Sequence, residues 1–132
     1  MEARDVMNFS RLAFLSLLLL LCIGGVVSAK DLMDEKHALD LLVSRTRKDR
    51  LYDNWTSVAC LSFVTEEKTK LYFDFAILEK HGGTCPGDPL TSPVVDRFRV
   101  HRSTQQIEWF DSAEGEYLPY MAVLKFRRQA SK

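Results

Sequence analysis

Three side chains of the kind that do chemistry stand close together in the stretch HGGTCPGDPLTSP, residues 81–93: His81, Cys85 and Asp88. An imidazole, a thiolate and a carboxylate in the order His-x3-Cys-x2-Asp could serve a metal ion, or His81 and Asp88 could pair as acid and base in a hydrolase. Each chemistry sets a further demand. Zinc needs four ligands, or three with an open position, and the one thiol here has a better use in a disulfide. Calcium needs alternating oxygen ligands, whereas Asp88 stands alone between Gly87 and Pro89. A phosphate loop needs Gly-x4-Gly-Lys-Ser/Thr entering a helix, and this one has no lysine and enters a strand pattern. A structural role accounts for every letter. Gly82, Gly83 and Gly87 permit turns, Pro86, Pro89 and Pro93 fix φ, and Asp88 can bind neighbouring amides. The stretch therefore reads as a fastened loop, with no catalytic residue, cofactor or metal ligand assigned. As a contact surface it would offer His81, Gly83, Gly87 and Asp88 to a partner.

Other candidates carry less. His37 falls on a helical pattern facing solvent, and His101 on the outer side of a strand. Ser62 and Ser103 have no nucleophile elbow around them. Glu108 with Asp111, or Glu114 with Glu116, has the composition of a glycosidase carboxylate pair, but acidic residues near a turn are more often simply solvated. Trp109, between Ile107 and Phe110, reads as core. Asn54-Trp55-Thr56 is a glycosylation sequon, which matters only in a eukaryotic host.

The amino terminus sets the compartment. Arg11 precedes an apolar run that ends in Val27-Ser28-Ala29, small residues at −3 and −1 for a signal peptidase. Leu12 to Val27 falls short of the roughly 20 residues that span a bilayer. Glu2 and Asp5 suit an export signal poorly, so Met7 is a second candidate start. Leu21 before Cys22 argues against lipidation. The expectation is a signal peptide over 1–29, cleavage after Ala29, and a periplasmic or secreted protein with no membrane anchor.

The remainder, residues 30–132, has the size of a single domain. The chain carries 18 basic and 18 acidic residues, and Arg4 and Arg11 balance Glu2 and Asp5, so the remainder is neutral too. A neutral chain offers no electrostatic footprint for nucleic acid. Cys60 and Cys85, an even pair in an exported chain, read as a disulfide worth roughly 3.5 kcal/mol by loop closure.

These features need elements to position them. Residues 30–48 read as one amphipathic helix, capped by Asp31 and closing on Arg45, Arg47 and Lys48. Residues 58–79 read as two strands about a polar turn at 66–69, with Leu71, Phe73, Phe75 and Ile77 on one face. A second hairpin over 94–112 turns at 103–105, with Val94, Phe98 and Val100 inward and Arg97, Arg99 and His101 outward. The period of YMAVLKFRR, residues 120–128, leaves its state open between a fifth element and a docked tail. The expected fold is α+β: one N-terminal helix on a four-stranded antiparallel sheet.

That order of elements resembles small exported proteins of cystatin-like build, and residues 79–111 resemble segments of small bacterial periplasmic proteins. The resemblance implies a sheet-and-helix fold and supplies no catalytic residue. The Gln-x-Val-x-Gly loop of true cystatins is missing, so inhibition of a cysteine protease is not implied. Composition, compartment and loop together suggest a binder, an inhibitor or immunity-type protein acting on an envelope hydrolase. Two alternatives stand beside it: a small-ligand domain using the concave face of the sheet, and a hydrolase using His81 and Asp88.

Overall fold

A computed structural model of the protein describes residues 31–130. The expected signal segment and its cleavage site lie outside the described residues. Helix α1 (Glu35–Lys48) is followed by a short 3-10 turn (Val58–Cys60) and five strands: β1 (Leu61–Lys68), β2 (Tyr72–Glu79), β3 (Val94–His101), β4 (Ile107–Asp111) and β5 (Glu116–Pro119). Helix α2 (Met121–Ala130) closes the described chain. Each strand pairs antiparallel with the next, giving a meander in sequence order.

The α+β class holds, but the four-strand, one-helix version is corrected. Residues 116–119 form a fifth strand on β4, and 121–130 form a second helix. Four residues are too few to show a period, so β5 is set by its register, with Trp109 opposite Leu118 and Phe110 opposite Tyr117.

Helix α1 starts later than its charge pattern suggests. Asp34, not Asp31, is the N-cap, and its side chain accepts from the amide of His37. At the other end Arg50 adopts a left-handed φ of 53°, with Arg50 N–H bonded to the Arg47 carbonyl and Leu51 N–H to the Thr46 carbonyl. This is a Schellman closure. It drives Leu51 and Tyr52 into the core.

The core lies between one sheet face and the two helices. Phe75 sits opposite Phe98, Phe73 opposite Val100, and Phe98 opposite Trp109. Ala38 and Leu42 of α1, with Val123 and Leu124 of α2, join the same buried cluster. Leu71 and Val94, expected to face inward, are instead 71% and 41% exposed. Both lie at strand ends beyond the helices' cover. The polar stretch expected as a turn at 66–69 largely continues β1, which bulges between Thr65 and Glu67. The reversal falls at 69–71, where the Thr69 hydroxyl accepts from the amides of Leu71 and Tyr72.

One charge is buried within this core. Asp96, on the inner face of β3, accepts from Trp109 Nε1 at 2.8 Å, the Tyr52 hydroxyl at 2.8 Å and Arg127 Nη2 at 2.9 Å. A buried carboxylate needs such partners. Burial, and then the Asp96 charge, push the Tyr52 phenol well above its ordinary value, so it stays a donor. The cluster ties the segment after α1, β4 and α2 to one strand.

Candidate functional site

Strands β2 and β3 are joined by residues 80–93, and the fastening of this connection begins at its base. The Cys60–Cys85 disulfide links it to the start of β1, with the two Cα atoms 5.5 Å apart. Lys80 N–H donates to the Cys60 carbonyl, Glu79 N–H to the Pro93 carbonyl, and the Ser92 hydroxyl to the Glu79 carbonyl. Gly82 and Cys85 exchange backbone hydrogen bonds at 3.0 Å in both directions. Within the loop Asp88 makes an Asx turn, its Oδ1 accepting from Leu90 N–H at 2.9 Å.

His81 fastens the two limbs together. Its Nε2 lies 3.0 Å from Glu79 Oε2, and its Nδ1 lies 2.8 Å from Thr91 Oγ1 and 3.2 Å from the Asp88 carbonyl oxygen. Glu79 also accepts from Trp55 Nε1 at 2.8 Å. These bonds, from His81 first and Trp55 second, hold the Glu79 carboxyl below its ordinary value. The His81 side chain is 13% exposed. Gly87 packs against its ring so closely that a Cβ there would come within 2.6 Å. The ring fills the space that only a glycine leaves.

Carboxylate, imidazole and hydroxyl in a row have the composition of a nucleophile relay. The Thr91 hydroxyl has a competing acceptor. Thr91 Oγ1 donates to the Asp88 carbonyl at 2.9 Å, which uses its single proton. The Glu79 carboxylate and the Asp88 carbonyl are both acceptors facing the His81 ring. The Asp88 carboxylate, His81's acid–base partner in the hydrolase alternative, is turned to the Leu90 amide, the role of binding a neighbouring amide that the loop reading gives it. His81 and Asp88 thus meet through a backbone carbonyl, a contact that ties the two limbs of the loop together.

Fastened this way, the loop presents Leu90 at 91% exposure, the most exposed large apolar residue described. Val94, next to the loop, and Trp55, bonded to Glu79 at its base, are exposed as well. Gly83, Gly87 and Asp88 lie at the surface, whereas the His81 ring is largely enclosed against Gly87. No family model matches the chain, and no curated protein or solved structure is similar to it.

The remaining sequence candidates have local employment. Glu108 Oε2 lies 2.8 Å from His101 Nε2, while Asp111 accepts from the Ala113 amide in the β4–β5 turn. His37 is exposed and meets its own helix cap, Asp34. Trp109 is buried, as its neighbours suggest. Asn54 is exposed in the turn after α1. Among the described residues no group of three or more His, Cys, Asp and Glu side chains is arranged to hold a metal, and no helix is long and apolar enough to cross a membrane. Sequence reasoning missed Leu90, Glu79 and Thr91. A leucine stranded among glycines and prolines, with no strand or helix to bury it, was the available signal.

Proposed function

We propose that the protein is an exported binder that docks a partner protein through the loop at 80–93, with Leu90 as the anchor. The observation that carries this reading is a leucine held almost wholly in water by a backbone with little freedom. Exposing leucine gains nothing for the folded monomer, while burying one in a partner's pocket stabilises a complex by roughly 1.5–3 kcal/mol. Fastening lowers the ordering cost of binding, because the disulfide, the His81 clip and the Asx turn fix the loop beforehand. Val94, next to the loop in the chain, and Trp55, bonded to Glu79 at the loop's base, add exposed apolar surface. The partner class is a hydrolase of the cell envelope, blocked in the manner of an inhibitor or immunity protein. That assignment rests on the signal-like amino terminus, the disulfide and the fastened, exposed loop. The site of action is the periplasm or the exterior.

Affinity capture from an envelope extract, with the wild-type protein and Leu90→Asp side by side, tests the reading. The wild type should retain a hydrolase that the variant loses, with both equally folded by circular dichroism. Equal capture by the two proteins would remove Leu90 from the interface. Turnover of an envelope polymer by the purified protein, lost in His81→Ala without unfolding, would replace binding with catalysis.

A further inference from the structure

The two edges of the sheet are built differently. β5 is 4 residues long and ends on Pro119. So short a strand, closed by a proline, offers little for another chain to pair with. β1, at the other edge, is 8 residues long, and its halves differ as well. The second half carries Glu66, Glu67 and Lys68 and the bulge between Thr65 and Glu67, charge and irregularity that discourage pairing. The first half, residues 61–65, has neither charge nor proline.

The backbone of that half has bonds to spare. The Cys60 carbonyl accepts from Lys80 N–H, so by the alternation of an antiparallel ladder Ser62 and Val64 turn their backbone groups toward β2. Phe63 and Thr65 turn theirs outward, and among the described residues no backbone hydrogen bond reaches them on that side. Val64 lies between the two. Its side chain is 45% exposed, on the sheet face away from the helices, whereas Phe63 packs against the core. Ser62 and Glu66 share the face of Val64, where Glu66 accepts from Arg97 Nε at 2.8 Å.

We propose that this edge pairs with the same edge of a second copy of the chain, β1 antiparallel to β1, with Val64 on the two-fold axis. In that register Phe63 of each copy faces Thr65 of the other, and each of these pairs exchanges two backbone hydrogen bonds. Val64 meets Val64, so two exposed apolar side chains cover each other. Glu66 falls opposite Ser62, and no acidic residue meets its own copy. Centring the pair on Thr65 would set Val64 against Glu66, and centring it on Phe63 would set Val64 against Ser62. The exposed valine thus selects the register. The contact is independent of Leu90 and stands whether or not the loop binds a partner.

Sedimentation equilibrium of the exported protein, its disulfide intact, tests the pairing. A reversible monomer–dimer equilibrium should appear between about 10 μM and 1 mM. Val64→Lys sets two ammonium groups together on the axis and should weaken the dimer at least about tenfold, with the thermal transition retained. Cysteine pairing reads the register. Residues opposed as Val64 is here have Cα atoms about 4.5 Å apart, within disulfide reach, so Val64→Cys should form a covalent dimer on mild oxidation. Glu66→Cys, set against Ser62, should crosslink at least about tenfold more slowly. A protein still monomeric at about 1 mM overturns the proposal. So does a dimer that Val64→Lys leaves unchanged, a dimer that Leu90→Asp abolishes, or Glu66→Cys crosslinking as fast as Val64→Cys.

Discussion

Gly87 and His81 make a single fitted pair. A methyl group on Gly87 would meet the imidazole at 2.6 Å, and its φ of 108° is one that side chains rarely adopt. Gly87→Ala should therefore cost about 1–3 kcal/mol in a denaturant melt and displace the His81 ring. The electrostatics of the same clip set a pH dependence. The Glu79 carboxyl is depressed below its ordinary 4.5, so its contribution is complete above that pH. It is lost as pH falls through the depressed folded value. Corrected for the intrinsic pH dependence of exchange, the Thr91 amide, bonded to the Asp88 carbonyl, should be steadily protected from about pH 5 to 7, and its exchange should accelerate as pH falls below that ordinary value. In Glu79→Gln that acceleration should vanish, because the titrating group is gone.

The elements are joined by Asp96 more than by any cap or turn. Tyr52, Trp109 and Arg127 come from three separate parts of the chain, and all converge on one carboxylate of β3. Asp96→Ala would leave a tyrosine hydroxyl, an indole N–H and a guanidinium without their acceptor. It should destabilise the domain by about 3–5 kcal/mol, which equilibrium unfolding would measure. Tyr52→Phe removes one donor and keeps the ring, so it should cost only about 1 kcal/mol. Helix α2 also rests on the stacking of Phe126 against Trp109, with ring centres 5.7 Å apart. Loosening of α2 ahead of the sheet in Asp96→Ala would show in hydrogen exchange.

For the whole molecule, stability and binding should separate cleanly. The disulfide closes 25 positions, and Cys85→Ser should lower the unfolding free energy by about 2–4 kcal/mol, a large fraction of what a domain this size holds. Leu90→Ala should leave the melt unchanged within about 0.5 kcal/mol, because the side chain touches almost nothing. Its effect on partner capture should be severe, at about 2 kcal/mol or more. On export, the mature protein should begin at Lys30, and mass spectrometry of the envelope fraction reads this directly; a lipid-modified Cys22 would contradict it.

Local rules were enough for much of this molecule. Phe73, Phe75 and Ile77 alternate strictly, so β2 and its buried face were legible, and the helix beginning near residue 35 announced itself by charge order and apolar spacing. The even cysteine pair pointed to the Cys60–Cys85 bond. What stayed hidden depends on contacts between residues far apart in the chain. Strand β5 exists because β4 offers it a ladder, and α2 because Asp96 and Trp109 receive Arg127 and Phe126. The chemistry of the loop was hidden for the same reason. His81 and Asp88 looked like a pair by spacing, yet the fold turns Asp88 to the Leu90 amide and gives His81 to Glu79 and Thr91. Sequence determined which residues could act. Only tertiary packing decided that His81 is enclosed and Leu90 exposed, because burial is a property of what covers a side chain.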